Sequence, residues 1–410
     1  MRPSRIYGIS GGAGLSCPAK GSGDRKEALT VKEALTGFDG APAAGAQGTA
    51  KRRPVAALSG GVDSAVAAVL AVRAGHAPIG ITMRLWSAGE AAPSQKARQC
   101  CGPSAYEDAR RAAGIAGMPH YIVNFERAFH HAVVDYFCAE YLAGRTPNPC
   151  VACNNLIKFG ALLDFAQALG AGSLITGHYA RVQSDSSGPR LLRARDRTKD
   201  QSYMLAGLRP AQLAAMIVPL GEYSKDDTRR LAHEFGLALA DKPDSMDLCF
   251  VDGDYRTFIE RRFPDSVAPG PVLTTDGEVV GRHDGLLGFT VGQRKGIPSS
   301  ALGDGPWYVV RTDAQRNAVV VGRKEVLARD SVTCSAPNVI RPQLFNAGCT
   351  RGLAQCRYRA KAVPARVQCS AGERLCVEFA QPIPVVTPGQ LLVLYDDADE
   401  EVIASGVIDS

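Results

Sequence analysis

The stretch "PVAALSGGVDSAVAAVLA", which begins at Pro54, constrains the fold of this chain more than any other feature. A short apolar run is followed by two glycines and then by a long apolar stretch of helix-forming residues. Glycines let the backbone turn sharply, and the N-terminus of the following helix carries a partial positive charge. This order of strand, glycine turn and helix predicts backbone N–H groups placed to bind phosphate.

The alternation of strand and helix continues for about 150 residues, as is usual for one domain. Further strands are predicted in "APIGITMRL", "HYIVNF" and "SLIT", with helices in "YEDARRAAGIAG", "FHHAVVDYFCAEYLAG" and Ile157 to Leu169. Strands that alternate with helices indicate a parallel, doubly wound sheet. We therefore predict an α/β domain over residues 51–208.

The rest of the chain has different residue patterns. Residues 1–50 are rich in Gly, Ala and Ser, and we expect a disordered tail there. Residues 209–303 begin with helical patterns and are expected to form a mixed central domain. From about Gly270 short alternating strands appear, separated by Gly and Pro turns. We assign these strands, including "WYVVRTDAQRNAVVVG", to an antiparallel β-barrel over residues 304–410.

Composition limits the class of protein. The 410 residues carry a net charge of +6, a mild positive bias that is compatible with a nucleic-acid partner. No apolar run approaches the roughly 20 residues that a membrane-spanning helix needs. The 12 cysteines lie at irregular spacings, which favours a reducing cytoplasm and thiols used in chemistry over a disulfide framework.

The glycine loop itself indicates a reaction type. Ser59 and Ser64 offer hydroxyl donors, whereas Asp63 would repel a phosphate unless a metal ion lay between them. No lysine follows the glycines, so this is not the loop that grips β- and γ-phosphates in G-x-x-x-x-G-K-[ST] proteins. The sequence "SGGVDS" resembles the pyrophosphate loop of the ATP pyrophosphatase superfamily, whose members cleave ATP to AMP and pyrophosphate while adenylating a substrate oxygen. That resemblance implies ATP and Mg²⁺ as cofactors.

Several motifs narrow the resemblance to one family. They are "GRTPNPCVACNNLIKFG", "TGHYAR", "KDQSYML", "DSMDLCF", "GFTVGQRKG" and "VTPGQ", in this order between residues 53 and 410. Together they resemble the bacterial tRNA-specific 2-thiouridylases, which replace O2 of the wobble uridine with sulfur. The resemblance implies tRNA as a partner and a cysteine desulfurase or sulfur relay as the donor.

Two cysteines take the catalytic roles that the resemblance implies. Cys249 corresponds to the carrier of a persulfide, and Cys153 to the thiol that releases its sulfur or closes a Cys153–Cys249 disulfide. A thiolate is needed, and a helix N-terminus lowers the pKa of a nearby thiol. Cys153 precedes a helix that we predict to start near Asn155, which would help it. The acidic "DSMD" before Cys249 would oppose ionisation.

Cys150 departs from part of the family, in which many members carry Asp at this position. A thiol with a pKa of about 8.5 cannot simply replace a carboxylate with a pKa of about 3.9. Three readings stay open for the Cys150/Cys153 pair: half of a zinc site, an iron–sulfur cluster shared with Cys249 and with Cys100 or Cys101, or catalytic thiols without metal. The chain has no second C-x-x-C motif, which disfavours zinc.

The resemblance also implies binding residues. For ATP they are Ala57, Leu58, Ser59, Gly60, Gly61, Val62, Asp63, Ser64, Met83 and Gly177. For tRNA they are Asn148, Pro149, Cys150, His178, Lys199, Asp200, Gln201, Arg357, Tyr358 and Gln390. Basic and aromatic side chains such as Arg357 and Tyr358 suit phosphate contact and base stacking.

Two other functions remain open from sequence. One is an adenylating amide ligase of the same superfamily, which would have no need for Cys153 and Cys249. The other is a non-catalytic iron–sulfur or RNA-binding module, which would have no use for a pyrophosphate loop.

Overall fold

A computed structural model of the chain describes residues 53–86, 103–243, 248–251, 253–264, 267–297, 305–345, 348–370 and 374–409. The predicted tail over residues 1–50 lies outside the described residues, as do Cys100, Cys101 and the acidic stretch before Leu248. The described residues belong to one unit, Ala46–Ser410.

The first sheet has five parallel strands in the order β3–β2–β1–β4–β7. These strands are β1 (Val55–Ala57), β2 (Ile79–Arg84), β3 (His120–Asn124), β4 (Leu174–Ile175) and β7 (Met216–Ile217). The central strand β1 pairs with β2 on one side and with β4 on the other, so its carboxyl end lies in the middle of the sheet edge. Ligands bind at this edge in open α/β sheets.

Helices follow the strands along the chain, as the alternating pattern predicts. They are α1 (Val62–Arg73), α2 (Pro103–Ile115), α3 (126–142), α4 (149–168), α5 (Ser202–Leu205), α6 (Pro210–Ala214) and α7 (Lys225–Glu234). Most of α1 is buried, because Val62, Ala65 and Val66 pack into the core of the α/β part. A short 3₁₀ helix, Pro219–Glu222, precedes α7.

Two helices contain π-helical hydrogen bonding. In α3 it spans His130–Val134, and in α4 it spans Cys153–Leu162. Helix α3 ends before Gly144, which adopts a left-handed φ of 74° that suits glycine. Helix α4 begins at Pro149, earlier than the start near Asn155 that the sequence predicted.

The central part holds a four-stranded sheet in the order β10–β11–β8–β9. Its strands are β8 (Gly270–Thr274), β9 (Val279–His283), β10 (Tyr308–Asp313) and β11 (Ala318–Gly322), and helix α8 (Tyr255–Arg262) precedes them. Short 3₁₀ helices lie at Leu286–Gly288 and Lys324–Leu327. The prediction that β10 and β11 belong to the barrel is wrong, because alternation alone does not reveal which sheet a strand joins.

The C-terminal part is a closed antiparallel barrel in the order β12–β15–β14–β13–β16–β17. Its strands are β12 (Arg329–Val339), β13 (Cys349–Gln355), β14 (Val363–Ser370), β15 (Arg374–Ile383), β16 (Leu391–Tyr395) and β17 (Val402–Ile408), with a 3₁₀ turn at Pro342–Leu344. Apolar side chains such as Val367, Leu375 and Leu392 fill its interior. The predicted fold class, α/β followed by a mixed part and a β-barrel, is confirmed.

A hairpin of β5 (Ala180–Asp185) and β6 (Gly188–Arg193) joins the α/β part to the barrel. Leu192 forms a β-bridge with Glu401, and the buried Arg193 donates to Asp200 at 2.9 Å and to Asp399 at 2.7 Å. The Arg193–Asp399 ion pair and the β-bridge therefore connect the hairpin to the barrel. Among the described residues, no helix has the length and apolar character that crossing a membrane requires.

Candidate active site

The glycine loop follows β1 and opens α1 at the central point of the sheet edge. Gly60 has a left-handed φ of 72°, and a Cβ atom there would lie 2.4 Å from the carbonyl oxygen of Ala105. The Ser64 hydroxyl accepts from the Ser59 N–H at 3.2 Å and donates to the Gly61 carbonyl at 3.0 Å. Glycine is therefore required at residue 60, and Ser64 holds the loop in its turned shape.

Asp63 lies in the first turn of α1 and binds two groups from distant parts of the chain. Lys225 Nζ lies 2.7 Å and 2.9 Å from its two carboxylate oxygens. The Tyr179 hydroxyl donates to Asp63 at 2.9 Å and lies 2.9 Å from the Thr228 hydroxyl. This arrangement explains how a carboxylate can stand beside a phosphate loop: an ammonium partner offsets its charge.

A second lysine contacts the loop from another direction. Lys242 Nζ donates to the Gly60 carbonyl and to an Asp108 carboxylate oxygen, each at 3.0 Å. No lysine follows the glycines in sequence, and neither Lys225 nor Lys242 was predicted to lie at the loop. The only local signal for Lys225 is its position directly after Ser224, which caps α7 together with Asp227.

Gly177, in the loop after β4, lies directly against the start of α1. A Cβ atom on Gly177 would lie 2.5 Å from the carbonyl carbon of Asp63. Met83, which is also expected to bind ATP, is half-buried near the carboxyl end of β2 and pairs with Val123. Both residues thus lie at the edge where the glycine loop opens.

The Cys150 and Cys153 thiols lie on one helix, α4. Asn148 caps this helix by accepting from the Val151 N–H at 3.2 Å, and Pro149 occupies the first turn. Cys150 is exposed in that first turn, whereas Cys153 is half-buried within the helix. The helix N-terminus therefore lies closer to Cys150 than to Cys153, contrary to the expectation from sequence.

The barrel holds the segment that leads into α4. Gln390 Nε2 donates to the carbonyl oxygens of Thr146 at 2.9 Å and Pro147 at 3.3 Å. A Cβ atom on the neighbouring Gly389 would lie 2.9 Å from the Thr146 carbonyl oxygen. The motif "VTPGQ" thus positions the cysteine helix.

The electrostatic environment of Cys153 contains opposing contributions. The pKa of its thiol is raised overall, chiefly by burial and further by Cys150, and the nearby Lys158 ammonium partly offsets this by lowering it. Lys158 Nζ donates to the Asn154 side-chain oxygen at 2.9 Å. Lys158 is a further residue that sequence reasoning missed.

His178 lies between the glycine loop and the cysteine helix. Its Nδ1 lies 2.8 Å from the Thr176 hydroxyl and its Nε2 lies 3.5 Å from Lys158 Nζ. Burial, and then the Lys158 charge, hold the pKa of His178 well below its usual range. The imidazole is therefore neutral near pH 7, and Nε2 acts as the acceptor facing the ammonium.

Cys249 is half-buried and is anchored by the aromatic residue that follows it. The Phe250 ring lies 5.7 Å from Phe129, 5.2 Å from Phe137 and 5.6 Å from Phe258, centroid to centroid. Because Phe129 and Phe137 belong to α3, which packs against α4, one helix supports the segments of both cysteines. Cys153 and Cys249 are both thiols. Among the described residues, no three His, Cys, Asp or Glu side chains are grouped to hold a metal ion.

The residues expected to meet tRNA fall into two groups. Arg357 is exposed, while Lys199 and Tyr358 are half-buried. Asp200 is buried, where it accepts from Arg193 and the Ser202 hydroxyl at 2.9 Å and 2.8 Å. Gln201 accepts from the Tyr179 N–H at 2.9 Å, and so positions the tyrosine that contacts Asp63.

A parallel sheet with a glycine loop at its central edge, an aspartate on the first helical turn and lysines around it defines an adenylating enzyme of the ATP pyrophosphatase class. Family profiles match three successive segments: a tRNA methyl transferase HUP domain at residues 52–253, a tRNA methyl transferase PRC-barrel domain at 256–323 and an aminomethyltransferase beta-barrel domain at 329–408. The match covers both the nucleotide fold and the barrel.

Curated relatives specify the family further. A "tRNA-specific 2-thiouridylase MnmA" of Moorella thermoacetica is 45% identical over 359 residues, covering 86% of this chain and 98% of that protein. Proteins of the same name from Pelotomaculum thermopropionicum and Roseiflexus castenholzii are 43% and 44% identical, covering 84% and 83% of this chain and 94% and 95% of theirs. The chain belongs to the tRNA-specific 2-thiouridylase family.

Proposed function

We propose that this protein is a tRNA-uridine 2-sulfurtransferase, which adenylates O2 of the wobble uridine with ATP and then replaces that oxygen with sulfur. The observation that carries the proposal is that one segment, 176–178, contacts both the nucleotide loop and the helix of Cys153. Gly177 packs against the backbone of Asp63 in the nucleotide loop. His178 contacts Lys158 on the helix of Cys153. A nucleotide site and a thiol site that share one loop suit a reaction in which both act on one base.

In the adenylation step, uridine O2 attacks the α-phosphorus of ATP, and the bond to the bridging oxygen breaks to release pyrophosphate. The loop N–H groups and the Lys225 and Lys242 ammonium groups would stabilise the negative charge that develops. Ala57, Leu58, Ser59, Gly60, Gly61, Val62, Ser64 and Met83 would bind the nucleotide around them. The Asp63 carboxylate is a hard oxygen donor that fits Mg²⁺, which when bound supplies positive charge at the phosphates.

In the sulfur step, Cys249 carries a persulfide and AMP is the leaving group at C2. By one route, Cys153 attacks the Cys249 sulfur of the persulfide, forms a Cys153–Cys249 disulfide and expels sulfide, which attacks C2. By the other, the terminal persulfide sulfur attacks C2, and Cys153 then attacks the Cys249 sulfur to free 2-thiouridine and form the same disulfide. In both routes an external dithiol must reduce the disulfide before the next turnover.

Cys150 needs a separate assignment. Its exposed place in the first turn of α4 supports a role facing the tRNA, as a thiol without metal. The [4Fe–4S] alternative would need ligands from beyond the described part of the chain, since none of the described residues completes a three-ligand group with Cys150. We propose the metal-free thiol, and an iron measurement decides between the two.

For tRNA we propose direct contacts and supporting residues. Direct contacts would come from Lys199, Arg357 and Tyr358, through phosphate binding and stacking. Asn148, Pro149 and His178 would shape the surface that meets the base. Asp200, Gln201 and Gln390 have internal hydrogen bonds, so we propose that they hold this surface in place.

Each of the three domains has its own proposed role. We propose that the α/β domain, about residues 51–208 with β7 added, binds ATP. The central domain, about 209–303 and extending to β11, would carry Cys249 and bind tRNA, and the barrel would complete the tRNA surface. A cytoplasmic cysteine desulfurase or sulfur relay would supply the sulfur.

A reconstituted reaction tests the proposal. The full chain is incubated with Mg-ATP, tRNA bearing a wobble uridine, and a cysteine desulfurase with cysteine. Nucleoside mass spectrometry should detect 2-thiouridine, with one AMP formed for each. AMP formation that depends on a small carboxylic acid and ammonia, without tRNA, would indicate an amide ligase and contradict the proposal.

A further inference from the structure

The helix geometry around Cys153 brings a lysine to the same side as the thiol. In an α-helix, residues five apart are separated by about 140° around the axis and face different directions. Between Cys153 and Leu162, however, α4 has π-helical hydrogen bonds from residue i to residue i+5. Five residues then make roughly one turn, so Lys158 lies on the side of the helix that carries Cys153, and its charge acts on that thiol.

Two neutral groups hold the Lys158 ammonium in place. It donates to Asn154 Oδ1 at 2.9 Å and faces His178 Nε2 at 3.5 Å. Asn154 is itself buried and fixed by a 3.0 Å hydrogen bond to the Met204 carbonyl. His178 is fixed in turn by Thr176 at 2.8 Å. Asn154 and His178 are both neutral, so neither of them offsets the positive charge of Lys158.

Among the described residues, this ammonium acts on three titratable groups: His178, Cys150 and Cys153. No carboxylate in the described ranges forms an ion pair with Lys158. A positive charge that is held by neutral acceptors and acts on a half-buried thiol is suited to an anion on that sulfur. A half-buried thiolate without such a partner is unfavourable, because burial penalises the charged form.

We propose that Lys158 is a positioning residue that acts through Cys153, by serving as the counter-ion of its thiolate in the step that attacks the Cys249 sulfur. The inference rests on the role proposed above for Cys153. The neutral state of His178 matters for this role. A protonated His178 would place a second cation beside Lys158, and the burial of the imidazole prevents its protonation. Lys158 transfers no atom, so the bonds that form and break at the Cys249 persulfide are the same as in the two routes proposed for the sulfur step.

The test is the pH dependence of iodoacetamide alkylation at Cys153, followed by peptide mass spectrometry on the full-length protein without tRNA. In the wild type, burial holds the alkylation midpoint above that of a free thiol. In Lys158→Gln the midpoint should lie about one pH unit above the wild-type midpoint, which slows alkylation about tenfold at neutral pH. Lys158→Arg should restore the wild-type profile. Lys324→Gln, an exposed lysine of the central part, is the control and should change nothing.

Two results would overturn the inference. The first is a Lys158→Gln profile that matches the wild-type profile; if tRNA binding is then weaker and salt-dependent, Lys158 is a phosphate ligand instead. The second is a Lys158→Arg profile that is shifted as far as that of Lys158→Gln, which would mean that the positive charge is not what matters. Failure of the Cys153 role is separate, because it would appear as a Cys153→Ser variant that thiolates tRNA normally while the alkylation profile still depends on Lys158.

Discussion

The Nζ atom of Lys225 lies 2.7 Å and 2.9 Å from the two carboxylate oxygens of Asp63, a pairing across 162 residues of sequence. Lys225 is buried, and Asp63 also receives the Tyr179 hydroxyl. The pair therefore sets both the charge and the position of the first turn after the glycine loop. It links α7 to the nucleotide site.

Asp63→Ala should slow adenylation severely and leave tRNA binding nearly intact. The residue organises the metal and phosphate side of the site, where loss of one electrostatic group costs roughly 10² to 10³ in rate. The measurement is tRNA-dependent ATP–pyrophosphate exchange, with tRNA affinity measured in parallel. Asp276→Ala, an exposed aspartate between β8 and β9, is the control. Exchange at the wild-type rate in Asp63→Ala would remove Asp63 from the nucleotide site.

Gly177→Ala should disturb the same loop for a steric reason. The added Cβ would lie 2.5 Å from the Asp63 carbonyl carbon and 2.6 Å from the Ser64 nitrogen, so backbone must move. Overpacking of this kind costs about 1–3 kcal/mol, and we expect a lower unfolding free energy together with a higher KM for ATP. Gly114→Ala meets no atom within 4 Å and lies in helix α2, where it should stabilise slightly. Equal effects of the two substitutions would refute the close contact.

Lowering the pH should destabilise the protein partly through His178. Its pKa is lowered in the folded state, chiefly by burial, so below the usual value of 6.5 the unfolded chain binds a proton that the native state does not. The stabilisation is present above pH 6.5 and is lost as the pH falls below it, by up to about 1.4 kcal/mol per unit. Denaturant unfolding at about pH 7.5 and about pH 5 should show a smaller loss for His178→Asn than for the wild type. The same loss in both proteins would mean that His178 titrates normally.

The sequence was sufficient for the fold class and for the glycine loop, because both depend on local order. Apolar runs, glycines and helix-forming stretches follow one another along the chain, and the strands β1 to β4 lie where these patterns predict them. The sheet to which each strand belongs was harder to predict. Met216–Ile217 joins the first sheet and β10 and β11 join the central sheet, since hydrogen bonding between distant segments decides this.

The residues that complete the candidate active site were hard to predict for the same reason, because they come from distant segments. Lys225, Lys242 and Tyr179 converge on the loop from segments whose local sequence carries no sign of phosphate chemistry. The π-helical register of α4, on which the relation of Lys158 to Cys153 depends, also has no signal in the residue pattern. The start of α4 could have been read from "NPC", because Asn is a common cap and Pro is common in the first turn.

Cys150→Asp should keep thiolation activity, and protein purified without oxygen should contain no iron. Cys150 is exposed in the first turn of α4, where a carboxylate is favourable, and Asp is the residue that the family resemblance implies for many members. Iron and sulfide analysis and tRNA thiolation are measured for both proteins. Near-stoichiometric iron in the wild type, lost in Cys150→Asp, would establish the cluster instead, because a carboxylate replaces thiolate poorly at a soft site.

The central claim is that sulfur passes from Cys249 to tRNA with the participation of Cys153. It is tested most directly by loading the protein with ³⁵S from labelled cysteine through a cysteine desulfurase, then adding tRNA and Mg-ATP for a single turnover. The wild type should transfer the label to 2-thiouridine and leave a Cys153–Cys249 disulfide in the peptide map. Cys153→Ser should take up the label and retain it, and Cys249→Ser should take up none. Transfer of label to tRNA by Cys249→Ser would contradict the account.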